Sequence, residues 1–196
     1  MSGSAVAKVA GLAGLVLAAG SGRRMGRPKA LVADADDVPW VVRAAQYLRA
    51  AGADPVVVAL GAAADQAAAL VPAWSRHIVV ESWAEGVGAT LHESLDALAT
   101  LPPEVTALLL TLVDLPSARV AAAGRVIGPR WAETDLRRAT YDGKPGHPVL
   151  IGRAHWQALA EQLAGDTGAN RYLNAHGVVG VDCTDLGGGE DVDVQG

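Results

Sequence analysis

Phenylalanine is missing from this sequence, and tryptophan and tyrosine (Trp 5, Tyr 3) are the only aromatics among its 196 residues. The core must therefore be built from leucine, valine and alanine. Cysteine occurs once, at Cys183. That excludes a disulfide framework and any multi-cysteine zinc or iron–sulfur site. A reducing, cytoplasmic setting is the simplest expectation, and Cys183 itself reads as a packed small residue rather than a nucleophile. Positive charge is in the minority, 16 Lys and Arg against 21 Asp and Glu for a net charge of −5, so the basic face that a nucleic-acid binder needs is not expected. Long apolar runs are also lacking. Val9 to Ala19 falls well short of the roughly 20 residues that span a bilayer, and no membrane partner is expected. Its end, Ala18-Ala19-Gly20, also suits a signal-peptide core, but a structured motif starts at the same place. Residues 1–10 read as a loose tail ahead of one domain, 11–196.

What is present is an alternation of strand-like and helix-like segments. Gly11 to Ala19 is a continuous apolar run that stops at glycines, as suits a strand buried on both faces. Trp40 to Ala51 reads as a helix, with Asp37 and Pro39 at its start and Gly52 past its end. Further strands are predicted at Pro55 to Leu60, His77 to Glu81 and Ala107 to Val113, with helices at Ala62 to Leu70 and Val87 to Ala99. Such β-α repeats predict an α/β domain in three layers, a mostly parallel sheet with helices on both faces. The second half is less regular. Arg137 to Tyr141, Pro148 to Ile151 and Val178 to Asp182 read as strands, and Ala154 to Leu163 and Ala169 to His176 as helices.

The densest cluster of chemistry directly follows the first strand: Leu17-Ala-Ala-Gly-Ser-Gly-Arg-Arg-Met-Gly-Arg-Pro-Lys29. Gly20, Gly22 and Gly26 allow close backbone approach to a ligand, and successive N–H groups in such a loop cradle anions. Arg23, Arg24, Arg27 and Lys29 make a local positive spot in an acidic chain. Together these features call for a polyphosphate. Two common phosphate loops do not fit. A P-loop needs a glycine immediately before its lysine, and Pro28 stands before Lys29. A dinucleotide fingerprint needs a third glycine where Met25 stands, and an acid after the second strand where Leu60-Gly61 stands.

The pattern L-A-A-G-x-G-x-R-M-G-x-P-K-x-L, from Leu17 to Leu31, resembles the nucleotide-binding loop of the MobA/MocA-like nucleotidyltransferases, enzymes that add a nucleotide to molybdopterin cofactors. Trp83-Ala-Glu-Gly86, Val113-Asp-Leu-Pro116, Gly146-His-Pro148, Gly165-Asp-Thr-Gly-Ala-Asn-Arg171 and Asp191-Val-Asp193 resemble the same family in the same order. The resemblance implies a Rossmann-like sheet of the nucleotide-diphospho-sugar transferase kind, with a nucleotide-binding half over 11–116 and an acceptor-binding half over 117–196. The L-A-A-G and R-M-G-x-P-K forms resemble the cytidylyltransferases more than the guanylyltransferases. They imply CTP as donor and the molybdenum–molybdopterin cofactor as acceptor, with a molybdoenzyme or its chaperone as receiving partner.

On this reading the backbone of Leu17, Ala18, Ala19, Gly20, Ser21 and Gly22 holds the nucleotide. Arg23 and Lys29 bind the triphosphate and counter the charge of departing pyrophosphate. Gly61, Glu81 and Ser82, at the ends of the second and third strands, lie where the family reads base and ribose. Asp114, a carboxylate closing a buried strand, is the candidate Mg²⁺ ligand and joins Arg23 and Lys29 as a catalytic residue; it also suits a helix cap for Ser117 onward. Asp193 resembles the second metal ligand. His147, Asp166 and Arg171 come with the acceptor-side motifs. The chain departs from the family at Ala89-Thr-Leu-His92 and at Val113-Asp114, which leaves open the oxidoreductase activity on a small heterocycle, with NAD(P)H, that is assigned to some relatives. A GTP-using guanylyltransferase and a non-catalytic nucleotide-binding chaperone also fit the loop.

Overall fold

The structure, a computed structural model, describes residues 8–192. They form one α/β domain around a seven-stranded sheet: β1 (Leu12–Ala18), β2 (Val56–Leu60), β3 (Arg76–Val79), β4 (Ala107–Leu112), β5 (Leu136–Tyr141), β6 (Lys144–Gly152) and β7 (Val179–Asp182). The spatial order is β3-β2-β1-β4-β6-β5-β7. Neighbours β1–β2, β2–β3, β1–β4 and β5–β7 pair in parallel, and β6 runs antiparallel to both β4 and β5. Every residue of β1 and β2 is buried, as expected of strands covered on both faces.

Side chains alternate across the pleat, which divides the core in two. On one face Leu12, Val16 and Ala18 pack with α1 (Trp40–Ala50), α2 (Ala64–Ala68) and α4 (Val120–Ile127). On the other, Ala13, Leu15 and Leu17 pack with α3 (Val87–Leu98), α5 (Trp156–Ala160) and α6 (Asn170–Ala175). Cys183 is fully buried in the first cluster. Among the described residues no helix is long and apolar enough to cross a membrane.

Three details differ from the sequence reading. Helix α4 is absent from it, since Val120-Ala-Ala-Ala-Gly-Arg-Val-Ile127 carries a glycine and no side-chain cap. Strand β6 starts at Lys144 rather than Pro148 and carries Pro145 and Pro148 within it, residues that normally argue against an interior strand. Asp37 does not cap α1: Pro39 is the flanking residue and makes no side-chain cap bond. It is Asp34 that orders the entry to α1, accepting the Asp36 and Val38 amides and pairing with Arg43.

Strand order reverses between β1 and β4, because β2 and β3 lie on one side of β1 and β4 on the other. Open α/β sheets leave a crevice at such a point, beyond the C-terminal ends of the strands. Here the glycine-rich loop and Asp114 leave the sheet side by side.

Candidate active site

The pairing of β1 with β4 continues one step beyond β4, through a hydrogen bond from the Val113 amide to the Leu17 carbonyl (3.1 Å). This register sets Leu17 to Gly22 against Asp114. Ala19, Gly20, Ser21, Gly22, Arg23, Lys29 and Asp114 all line one cavity of about 390 Å³ on the α3 face of the sheet. Leu17 and Leu112 form its apolar floor, and Trp83, Ala84, Gly86, Val87, Thr90 and Asp166 complete the wall. Ala18 points to the other face and packs in the α1 core, as the strand alternation dictates.

The loop's shape has a clear local cause. Gly22 sits at φ 60°, and a Cβ there would lie 1.9 Å from the Arg27 carbonyl oxygen. Only glycine permits this crossing of the chain over itself. The turn Arg23–Met25 follows, closed by the Met25 amide on the Gly22 carbonyl (2.9 Å). Among the described residues the amides of Gly20, Ser21 and Gly22 donate to no other group, so they are free to meet an anion. Arg23 lines the cavity beside them, and Arg24 and Arg27 are exposed on the same loop. Lys29 opens a second short turn, anchored by the fully buried Ala30 and Val32, which aims Lys29 back into the cavity.

Lys29 Nζ lies 2.6 Å from Asp114 Oδ2, and both side chains are mostly buried, at 17% and 13% exposure. The other oxygen of this carboxylate, Asp114 Oδ1, is buried and has no hydrogen-bond partner among the described residues. An orphaned carboxylate oxygen facing a phosphate-type loop fits a hard divalent cation. Such ions typically take one or two carboxylates plus substrate phosphates. Among the described residues no cluster of three or more His, Cys, Asp or Glu surrounds the position. The Val192 amide donates to the Asp114 carbonyl (3.0 Å), which brings the segment after β7 back to the end of β4. Asp193 lies outside the described residues.

The remaining predicted residues are placed as follows. Gly61 lies beneath Trp83: a Cβ on Gly61 would be 2.5 Å from the Trp83 Cβ and 2.8 Å from that of Ala19. Glu81 and Ser82 do not line the cavity. Their amides donate to the Glu93 carboxylate on α3, at 3.0 and 3.1 Å, and the Ser82 hydroxyl adds a third bond at 2.8 Å. Burial raises the Glu93 pKa, but these three bonds outweigh it and hold the group below its ordinary value. The wall is made a few residues after Glu81 and Ser82, by Trp83, Ala84, Gly86, Val87 and Thr90. Asp166 stands on the rim, beside Gly86. Its loop is docked on α3 through the Gly165 carbonyl, which accepts the Gly88 and Ala89 amides at 2.7 and 3.2 Å. Arg171 is exposed and lines a separate groove with Leu159, Leu163 and Tyr172.

His147 is half-buried on β6, and its carbonyl accepts the Tyr141 hydroxyl (3.1 Å). Burial pushes its pKa down to about 4. Asp114 and Asp191 oppose the shift and Arg138 adds to it, so His147 shares the electrostatic field of Asp114. The imidazole is neutral at pH 7. An unfolded chain takes up this proton near 6.5 and the folded one near 4. The histidine's contribution is therefore whole above pH 6.5 and is lost as the pH falls toward 4, on the order of 3 kcal/mol in all. His147→Gln is expected to flatten this part of the stability profile, as measured by urea denaturation at pH 7 and pH 4.5 without divalent ions. A slope equal to that of the wild type would show that His147 does not carry it.

Comparison with known proteins gives matches over most of the chain. The sequence model of the MobA-like NTP transferase domain matches residues 14–179. Nicotine blue oxidoreductase of Paenarthrobacter nicotinovorans is 32% identical over 198 residues, covering 92% of this chain and 91% of that protein. Rv0371c of Mycobacterium tuberculosis H37Rv is 30% identical with a TM-score of 0.78, over 96% of this chain and 94% of that one. The same protein solved in complex with manganese gives 28% and 0.70, over 87% of each chain. A nucleotidyl transferase from Methanothermobacter thermautotroptrophicus shares the fold at 18% identity and TM-score 0.72, over 87% of this chain and 86% of that one. These solved structures share the α/β architecture described above.

Proposed function

From the premise that this chain belongs to the MobA-like NTP transferase family, and is a nucleotidyltransferase by that membership, we propose that it moves CMP from CTP onto the terminal phosphate of the molybdenum–molybdopterin cofactor and releases pyrophosphate. The observation that carries the reading is the meeting of unbonded loop amides, Lys29 and the half-satisfied Asp114 around one cavity.

The amides of Gly20 to Gly22 take phosphate oxygens. Arg23 and Lys29 neutralise the charge that builds on the leaving pyrophosphate. Asp114, with Asp193, would hold a divalent ion, Mg²⁺ in this proposal. A bound ion would supply charge neutralisation at the phosphates and a template for in-line displacement. Because the acceptor phosphate is already anionic, no general base is required, and His147 has the role of a neutral orienting group. Asp166 on the rim faces the acceptor's entry. Arg171 meets only a part of the acceptor that extends into its own groove. The product is handed to a molybdoenzyme or its chaperone.

The relative named nicotine blue oxidoreductase supports a second reading, NAD(P)H-dependent reduction of a small heterocycle. Against it stand Met25, where a dinucleotide loop needs glycine, and Gly61, where such a site places an acid after its second strand. Pyrophosphate release measured with CTP, GTP and ATP in the presence of the molybdenum cofactor and Mg²⁺ separates the readings. CTP is expected to be turned over at least about tenfold faster than the other two, the scale of one lost base contact. Faster release with GTP would make the protein a guanylyltransferase. Oxidation of NAD(P)H without pyrophosphate would overturn the transferase reading.

A further inference from the structure

The cavity has two unlike ends. At one end are the open amides and cations of the glycine loop. At the other are Trp83, Ala84, Gly86, Val87 and Thr90, with Asp166 beside Gly86, a wall with one large aromatic and one carboxylate. Trp83 is half-buried and packs against the α3-face core. It rests on Gly61, whose missing side chain gives it room; a Cβ there would stand 2.6 Å from the indole Cγ. The same spot is 2.8 Å from the Ala19 Cβ, so the indole stands directly beside the start of the phosphate loop. The short turn that carries it, Glu81–Glu85, is held from α3 by three hydrogen bonds to the single carboxylate of Glu93.

We infer that the Trp83 indole is the stacking face for the nucleobase of a nucleotide held by the glycine loop, and that Glu93 is the positioning residue that fixes it there. The inference rests on the nucleotide reading given above and names the surface that meets the base. A base–aromatic stack tolerates any nucleobase, because every base has a π-face. Trp83 therefore supplies affinity for the heterocycle without choosing between cytosine and guanine. Glu93 acts at one remove. With its carboxylate gone, two backbone amides lose their partner, the Ser82 hydroxyl keeps only its long bond to the Ala89 carbonyl (3.4 Å), and the turn carrying Trp83 is loosened.

The test compares binding of Mg²⁺–CTP, Mg²⁺–GTP and Mg²⁺–tripolyphosphate, which has the phosphates but no base, by isothermal titration. Trp83→Leu is expected to weaken both nucleotides about tenfold to a hundredfold, the range a lost base–aromatic stack gives, and to leave tripolyphosphate within about twofold. Trp83→Phe keeps a ring and should recover most of the loss, with a melting temperature near that of the wild type. Glu93→Ala should weaken the nucleotides as Trp83→Leu does, and should add little further in the Trp83→Leu background. A residue with a merely structural role would instead add its own independent loss. Equal losses for tripolyphosphate and nucleotides in Trp83→Leu, or no loss for either, would overturn the stacking role. Additive effects of the two variants would overturn the positioning role of Glu93. A wild-type protein that binds tripolyphosphate but gains nothing from a base overturns this inference alone. One that binds neither overturns the proposed function and this inference together.

Discussion

Replacing Asp114 by asparagine is expected to lower CTP-dependent pyrophosphate release by about a thousandfold while the protein stays folded. The substitution preserves shape and removes charge at a side chain that is almost wholly enclosed, with its residue only 9% exposed. Oδ2 is committed to Lys29 at 2.6 Å, and Oδ1 has no partner among the described residues. Removing one electrostatic stabiliser of a developing charge typically costs about a hundredfold to a thousandfold in rate, and loss of a metal-holding carboxylate belongs at or beyond the upper end. A second consequence separates this role from simple damage. In the wild type Lys29 is engaged by the carboxylate, so metal-free triphosphate must compete with Asp114 for it. In Asp114→Asn the competition from this carboxylate is removed, and binding of CTP without Mg²⁺ should not weaken. A variant that turns over CTP at the wild-type rate would remove Asp114 from the site. A variant that loses metal-free binding along with the rate would show that its role is to support the fold of the loop.

Gly22→Ala is expected to weaken nucleotide binding more than about a hundredfold. Its added methyl would fall 1.9 Å from the Arg27 carbonyl oxygen and 2.9 Å from the carbonyl carbon, on a residue at φ 60°. Both atoms are backbone and cannot swing aside as a side-chain tip would. Left-handed backbone also costs an alanine of order 1 kcal/mol before any clash is counted. The loop must therefore open, and Lys29, whose amide lies 3.3 Å from the same point, shifts with it. Gly20→Ala is the matched control, because nothing lies within 4 Å of a Cβ at that position. That variant should melt with the wild type, and any loss of nucleotide affinity in it measures how closely the phosphates approach the backbone. Calorimetric titration together with thermal melts decides the matter. Wild-type affinity in Gly22→Ala would show that the loop does not grip the ligand in the conformation described.

The parallel half of the sheet is legible in the sequence because each of its main strands announces itself locally. Leu12–Ala18, Val56–Leu60 and Ala107–Leu112 are apolar runs ending close to glycine or aspartate, and their burial is nearly complete. The loop from Gly20 to Lys29 is equally visible, since its glycines and cations are contiguous in the chain. The reversal of β6 is not. Asp142-Gly143 marks the hairpin that joins β5 to β6, with both residues at positive φ, the turn chemistry of tight hairpins. But Pro145 and Pro148 argue for a later strand start, and partner choice across a sheet is decided by packing rather than by local pattern. Helix α4 has four buried residues on one side, Ala122, Ala123, Val126 and Ile127, and so owes its existence to the sheet it covers more than to its own propensity. In the cavity the phosphate end is legible as a chemical cluster, whereas Trp83-Ala-Glu-Gly86 and Asp166 of the opposite wall are legible only as family motifs, and the carboxylate that holds the turn is not legible at all. Glu93 lies eleven or more residues from the two amides it binds, and no spacing rule links a helix surface carboxylate to a turn on the preceding strand.

The Gly165 carbonyl, which accepts two amides in the first turn of α3, docks the Asp166 loop on that helix through one oxygen. It also gives the molecule a reporter of its own. The Asp166 rim cannot lift without releasing the amide protons of Gly88 and Ala89 to solvent, so their hydrogen–deuterium exchange reads out, residue by residue, how often the doorway beside the cavity stands ajar.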